Sequence, residues 1–162
     1  MKRRLFTWVI ATMLLAIAGV IGAAPKKTYD NARLRLRFDW PTPDSIRVVE
    51  GDHDTVIEGS AGGIDLKIIV RPGERIKEAQ HQFRLVSYFA GAWEKDSDEC
   101  RGTGWDGCSS WSFTAESGRA AGVAEVGFGP GGTYILVLTA PAASFRALRP
   151  KMRAVEQSAV LY

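Results

Sequence analysis

The first 24 residues limit what the rest of the chain can fold into. Met1-Lys-Arg-Arg4 is a short basic start, an uncharged apolar stretch runs from Leu5 to Ile21, and the small residues Gly22-Ala23-Ala24 precede Pro25. This order is typical of a secretory signal peptide. Because the stretch up to Ala24 has about the 20 residues that a membrane span needs, an uncleaved anchor is the alternative. We therefore predict an extracytoplasmic protein, periplasmic or secreted, that folds from residues 25–162.

Removing this segment changes the net charge of the protein. The chain has 21 basic and 18 acidic residues, which gives a net charge of +3. Lys2, Arg3 and Arg4 account for the whole excess, since 21 − 3 leaves 18 basic residues against 18 acidic ones. Nucleic-acid binding domains carry a marked excess of basic residues. We therefore expect no nucleic-acid partner, although a membrane tether through residues 5–24 remains open.

Residues 25–162 have the size of one domain with a sizeable hydrophobic core. The sequence shows no Pro- or Ser-rich linker, charge block or internal repeat that would divide them. Cys100 and Cys108 both lie in this exported part, where an oxidising compartment favours a disulfide. Their spacing is not that of a redox C-x-x-C motif, and no histidine is near enough in sequence to complete a zinc site. A disulfide is predicted, with a pair of thiols as the alternative.

Hydrophobic alternation predicts an antiparallel sheet. In residues 33–38, Leu34, Leu36 and Phe38 alternate with three arginines, which predicts a strand that ends at Trp40-Pro41. Further strands are predicted at residues 46–49, 55–58, 64–70, 110–116, 121–128 and 133–140. The last of these is apolar at consecutive positions, which indicates a central strand buried on both faces.

Two segments have helical periodicity. A spacing of three and four predicts an amphipathic helix from about Glu74 to Ala92 whose core-facing residues are Ile76, Ala79, Phe83, Val86 and Ala90. A second helix is predicted from the spacing of Phe145, Leu148, Met152 and Val155, with a kink or restart at Pro150. Together these elements predict an α+β fold, in which one long helix and a C-terminal helix pack on an antiparallel sheet.

Several of these segments resemble the PsbP-like superfamily. They are Phe38-Asp-Trp-Pro41, the predicted helix at 74–92, Gly132-Thr-Tyr-Ile-Leu-Val-Leu-Thr-Ala-Pro141 and the tail from Phe145 to Ser158. The type member of this superfamily is the extrinsic lumenal protein of photosystem II, and a Ran-binding import factor shares its fold. The resemblance implies a PsbP-like fold and a non-catalytic accessory or binding protein. The loop between the two cysteines is not part of the pattern, and no family binding residue carries over by position.

Two features are candidates for contact with a partner. Trp105 lies in Gly102-Thr-Gly-Trp-Asp-Gly107, a loop that the disulfide would hold rigid, and a pre-organised aromatic residue is a good contact anchor. The alternative is that Trp105 packs on Trp93 and Trp111. The second candidate is a row on one strand face, formed by Arg33, Arg35 and Arg37. This row would contact an anion, or it would be a solvated face of the sheet with no binding role.

Other patterns do not indicate a catalytic or metal site. Gly127 to Gly132 matches G-x-G-x-x-G, but the glycines lead into a strand, which predicts a hairpin turn and not a phosphate loop. Asp52-His53-Asp54 is interpreted as a solvated turn, and so is the acidic group Asp96, Asp98 and Glu99. His81 is predicted to lie on the surface. We therefore expect no catalytic residues, metal or cofactor, and leave enzymatic activity open.

The function predicted from the sequence is that of a non-catalytic exported accessory or binding protein that contacts a protein partner or a membrane complex. One alternative is a metal-dependent enzyme of the cell envelope that uses residues 52–54. The other is a small-ligand carrier with an apolar pocket between sheet and helix, lined by residues 76–93 and 134–138.

Overall fold

The computed structural model describes residues 27–162, so the predicted signal peptide or anchor lies outside the described residues. The main sheet has seven strands: β3 (Arg47–Glu50), β4 (Thr55–Ala61), β5 (Ile64–Pro72), β6 (Gly91–Ser97), β7 (Gly107–Ala115), β8 (Ala120–Gly129) and β9 (Gly132–Pro141). A smaller sheet of three strands consists of β1 (Thr28–Asn31), β2 (Leu36–Asp39) and β10 (Val160–Leu161). The two α-helices are α1 (His81–Tyr88) and α2 (Ala142–Ser158), and short 3-10 helices occur at Pro43–Ser45 and Glu78–Gln80.

The main sheet is antiparallel in the order β3-β4-β5-β9-β8-β7-β6, so β9 lies at its centre. This confirms the central strand that the apolar run of residues 133–140 predicted. Strands β8 and β9 are joined by Pro130-Gly131, with Gly129 paired to Gly132. The G-x-G-x-x-G match is therefore a hairpin turn, as predicted.

Each face of the main sheet carries its own hydrophobic cluster. On one face, Leu136 and Leu138 of β9 pack with Phe38 and Trp40 from the small sheet side and with Met152 of α2. On the other face, the alternate residues Ile135 and Val137 pack with Trp111, with Ile76 and with Leu85 of α1. Alternation of side chains along a strand produces this division. The α+β class with helices packed on an antiparallel sheet is confirmed.

Helix α1 differs in length and orientation from the helix predicted over 74–92. It has eight residues, and its buried side chains are His81 and Leu85. The residues assigned to the core, Ala79, Phe83, Val86 and Ala90, are all exposed, and only Ile76, which precedes the helix, is buried as expected. The prediction assigned the wrong face of the helix to the core because it counted Ile76 as helical. Ile76 reaches the core from an extended segment before the helix. The helix then begins in a different phase.

The N-terminal arginine segment also differs from its prediction. Residues 32–35 form a turn, Arg35 has a φ of 52°, and the strand starts only at Leu36. Arg33, Arg35 and Arg37 therefore do not form a row along one strand. Buried Leu34 lies in this turn and not in the strand.

Three strands were not expected from the sequence. Strands β1 and β10 are short and pair with β2 in the small sheet, while β6 is an exposed edge strand within a polar segment. A kink or a restart was predicted at Pro150, and helix α2 continues through it without a restart. Pro150 removes the hydrogen bond to the carbonyl of Arg146, and both residues lie on the exposed side, where water can bond that carbonyl. Between residues 27 and 162, no helix is both long and apolar enough to cross a membrane.

Candidate functional site

The predicted disulfide is present between Cys100 and Cys108, whose Cα atoms are 5.9 Å apart. The loop that it closes is also held by backbone hydrogen bonds. Thr103 donates to the carbonyl of Ala159 at 2.9 Å and accepts from the N–H of Leu161 at 2.9 Å. Asp106 donates to the carbonyl of Phe128 at 2.9 Å. The loop is thus attached both to the end of β8 and to the C-terminal strand.

Trp105 is a half-buried residue of this loop. Its ring meets Tyr134 edge to face, with centroids 6.1 Å apart, and it packs against the cluster beside α2. Its indole N–H is buried with no acceptor among the described residues. Trp93 and Trp111 belong to the cluster on the opposite face of the sheet, so the alternative in which Trp105 packs on them was wrong.

The three arginines lie in different surroundings. Arg33 forms an exposed ion pair with Glu50 at 2.6 Å. Arg35 donates to the carbonyl of Pro130 at 3.5 Å, while Arg37 lies within β2, opposite Asp30 of β1. The hydroxyl of Tyr134 donates to the carbonyl of Leu34 at 2.8 Å. Tyr134 therefore contacts both Trp105 and the turn that contains Arg35, so these two candidates lie near each other.

A buried acid pair was missed by the sequence analysis. Glu125 of β8 is completely buried and Glu156 of α2 is 2% exposed. Glu125 accepts a hydrogen bond from the backbone N–H of Arg101, and the guanidinium of Arg101 lies 3.3 Å from the carboxylate of Glu156. The second carboxylate oxygen of Glu125 has no hydrogen-bond partner among the described residues.

Burial dominates the electrostatics of this pair. It raises the pKa of Glu125 to about 8, an effect that the negative charge of Glu156 adds to and that the hydrogen bond from Arg101 opposes. Burial likewise raises the pKa of Glu156 to about 7, against the positive charges of Arg101, Arg153 and Arg149. Both carboxyls consequently carry a proton over part of the neutral pH range.

The sequence does contain signals for this pair. Glu125 is the one charged residue in the apolar strand segment from Ala120 to Gly129. Glu156 follows Met152 by four residues, so it falls on the apolar side of α2. A charged residue at a position that the periodicity assigns to the core is a candidate for an altered pKa.

His81 is buried, contrary to its predicted surface position. Its Nδ1 lies 2.7 Å from the hydroxyl of Ser109, which also accepts from the indole N–H of Trp111 at 2.7 Å. Because the indole can only donate, the Ser109 hydroxyl can donate to His81, which fits a neutral imidazole. Burial lowers the pKa of His81, in agreement with this. The three side chains link α1 to β7.

The acidic turns do not form a metal centre. In residues 27–162, no three side chains among His, Cys, Asp and Glu are grouped closely enough to hold a metal ion. Within the turn of Asp52, His53 and Asp54, the carboxylate of Asp54 accepts from the Tyr88 hydroxyl at 3.1 Å. In the second acidic group, Asp98 pairs with Lys95, and Asp96 accepts from Ser112 at 2.7 Å.

The pocket expected for a small-ligand carrier is not where it was predicted. Ile76, Leu85, Ile135 and Val137 pack together between α1 and the sheet. An apolar cleft of about 490 Å³ lies instead beside α2, on the opposite face. Its lining includes Trp40, Ile64 and Val155.

The solution structure of cyanobacterial PsbP (CyanoP) from Synechocystis sp. PCC 6803 is similar to this chain. The TM-score is 0.53 at 15% identity, and the match covers 89% of this chain and 96% of that chain. The fold is PsbP-like. No protein-family model matches the sequence, and no curated protein matches it.

Two further solved structures are more distant in fold. A crystal structure from Bacteroides thetaiotaomicron has a TM-score of 0.44 at 14% identity, covering 86% of this chain and 49% of that chain. LpqN, which is involved in cell envelope biogenesis of Mycobacterium tuberculosis, has a TM-score of 0.37 at 15% identity, covering 86% of this chain and 87% of that chain. The PsbP-like resemblance of the sequence is confirmed at the level of the fold.

Proposed function

We propose that this is a non-catalytic accessory protein of the cell envelope that binds a protein partner through α1. The observation that carries the proposal is the apolar face of this helix and the residues beside it, formed by Ala79, Phe83, Val86 and Ala90. The Phe83 side chain is 71% exposed and that of Val86 is 48% exposed. Exposed apolar patches with a polar surround are typical of protein–protein interaction sites. We call this surface the α1 face.

The core does not need the apolar residues of the α1 face. Leu85 on the opposite side of the helix is completely buried, and His81 bonds Ser109 there. The helix is therefore already attached to the sheet through its other side. Phe83 adds only exposed apolar area, and aromatic residues at such positions dominate many binding interfaces.

The localisation and the accessory role rest on other observations. The signal-like order of residues 1–24 and the disulfide between Cys100 and Cys108 support an extracytoplasmic compartment. The PsbP-like fold supports an accessory role. Trp105 and the arginines Arg33, Arg35 and Arg37 are a second proposed contact for the partner, and of the three arginines Arg35 bonds the carbonyl of Pro130.

Site-specific cross-linking in the native envelope tests the proposal. A photo-reactive phenylalanine analogue replaces Phe83 in one variant and Arg146, an exposed residue of α2, in the control. We expect a discrete cross-linked protein from position 83 that is absent from position 146 and that the variant Val86→Ser reduces. If position 83 gives no product, or both positions give the same products, the α1 face is not the contact surface.

A further inference from the structure

The cleft beside α2 has two apolar walls. One wall is α2, where Lys151, Ala154 and Val155 share a face because they are three and four residues apart. The facing wall consists of Trp40 and Pro41, which follow β2, together with Ala61, Gly62 and Ile64 of the hairpin between β4 and β5. Gly62 and Gly63 both have positive φ, so this hairpin turns within two residues and stays narrow.

The buried residues at the base of the two walls form the floor of the cleft, and their packing makes it rigid. Trp40 is 2% exposed, and Ile64 and Val155 are also buried. The backbone N–H of Trp40 donates to the carbonyl of Lys27 at 2.8 Å, which fixes Lys27 at the rim. A volume of about 490 Å³ falls within the roughly 300–1,000 Å³ that small-molecule sites occupy.

The two lysines and the one aspartate of the lining leave the rim with a net charge of +1 (2 − 1), which favours an anion. Lys27 and Lys151 both line the cleft, and within residues 27–162 neither ammonium group lies in an ion pair with a carboxylate. The third charged residue, Asp39, accepts a hydrogen bond from the Thr28 hydroxyl at 3.0 Å, and its backbone N–H donates to Ser158 at 2.9 Å. The apolar floor thus has two lysines above it that can meet a negative head group.

We propose that this cleft binds a single-chain amphiphile with an anionic head group, such as a fatty carboxylate. The alkyl chain lies along Trp40, Ile64 and Val155, and the head group lies between Lys27 and Lys151. The cleft and the α1 face are on opposite sides of the main sheet, since their neighbouring clusters occupy alternate residues of β9. Ligand binding and partner binding can therefore succeed or fail independently.

A homologous series of ligands tests the proposal on the purified protein. Octanoate, decanoate and dodecanoate are titrated by calorimetry, and amide NMR shifts locate the binding. We expect the Kd to fall about two- to four-fold for each added CH2 group, as for burial of alkyl carbon. The shifts should centre on Ala61, Gly62 and Ala154. Decyltrimethylammonium, with the same chain length as decanoate but a positive head group, should bind at least about three-fold more weakly, because the head-group charge is reversed.

Three variants separate the head-group contact from the chain contact. Lys151→Glu should raise the Kd for decanoate about three- to ten-fold, since one attraction becomes a repulsion. The matched control is Lys77→Glu, an exposed lysine near α1, which should leave the Kd unchanged. Ala154→Phe places a ring in the cleft from an exposed position and should abolish binding without unfolding the protein.

Several outcomes would overturn the proposal. They are a Kd independent of chain length, equal binding of the cationic probe, or shifts centred away from the cleft. Binding to anionic phospholipid vesicles without binding of monomeric decanoate would instead show a membrane surface contact. If the cleft binds a peptide and none of the carboxylates, it is a site for a protein segment.

Discussion

Arg101 binds Glu156 through its guanidinium, with Nε and Oε2 3.3 Å apart, and so joins the disulfide loop to helix α2. The same residue donates its backbone N–H to Glu125, on the strand beneath. One residue of the loop therefore serves two buried carboxyls, one through its side chain and one through its main chain. Because the burial of the two carboxylates outweighs the attraction of the nearby arginines, both pKa values lie close to neutral pH.

The first prediction concerns the pH dependence of stability. The pKa values of Glu125 and Glu156 are about 8 and about 7 in the folded protein, above their ordinary value of 4.5. The folded protein therefore binds these protons more tightly, and the free energy of unfolding falls as the pH rises through this range. We expect a lower urea midpoint at pH 8.5 than at pH 6.5, because these two pH values lie on either side of both pKa values.

His81 acts in the opposite direction and limits the useful pH window. Burial lowers its pKa from 6.5, so its stabilising contribution is present above pH 6.5 and is lost as the pH falls toward its folded pKa. Urea titrations between pH 6.5 and 8.5 therefore report mainly the two carboxyls.

The variant Glu125→Gln tests this prediction. Its free energy of unfolding at pH 8.5 should be about 1–3 kcal/mol higher than that of the wild type, since the buried charge is removed. Exposed Glu116→Gln is the control and should follow the wild type. An unchanged slope in the Glu125 variant would contradict the prediction.

The strands of the main sheet could be predicted from the sequence because each buries alternate or consecutive apolar residues. The run of residues 133–140 predicted the central strand for this reason, and the structure confirms it. The arginine segment could not be placed this way. Leu34 is buried although it lies in a turn, in which Arg35 adopts a positive φ. Alternation of apolar and polar residues does not by itself distinguish such a turn from a strand.

The candidate surfaces depended on information that periodicity does not contain. In α1, apolar residues occur at helical spacing, but the sheet is covered by the side that carries Leu85 and His81. The partner of His81 is Ser109, which lies 28 residues away in sequence. The acid pair likewise depends on Arg101 reaching β8 and α2 at once. Such long-range polar contacts are not visible in a single sequence.

The second prediction compares the two sides of α1. Leu85→Ala should cost about 2–5 kcal/mol of unfolding free energy, because it leaves a cavity in a fully packed core. Phe83→Ala, two residues earlier, should change stability by no more than about 0.5 kcal/mol, as is usual for exposed positions. Urea unfolding at pH 6.5 measures both. A larger cost for Phe83→Ala than for Leu85→Ala would mean that the helix is oriented as its periodicity predicted.

The third prediction concerns the disulfide. Replacing Cys100 and Cys108 together by serine should cost about 2.5 kcal/mol, the loop-closure entropy of a cross-link between residues this close in sequence. The backbone hydrogen bonds of Thr103 and Asp106 do not need the disulfide, so the circular dichroism of the folded variant should match the wild type. Dithiothreitol should lower the urea midpoint of the wild type but not that of the variant. Loss of folded structure in the variant would show that these bonds cannot hold the loop.

The fourth prediction separates packing from partner binding at Trp105. The ring contacts Tyr134 and is half-buried, so Trp105→Ala should cost about 2–4 kcal/mol, somewhat less than a fully buried tryptophan. Trp105→Phe keeps an aromatic contact with Tyr134 and removes an indole N–H that is buried without an acceptor, so it should cost about 1 kcal/mol. Partner cross-linking from position 83 is then measured for both variants at a temperature where each is folded. If Trp105→Phe remains stable but loses the partner, Trp105 makes a direct contact. If only Trp105→Ala loses the partner, and in proportion to its lost stability, the tryptophan supports the loop by packing alone.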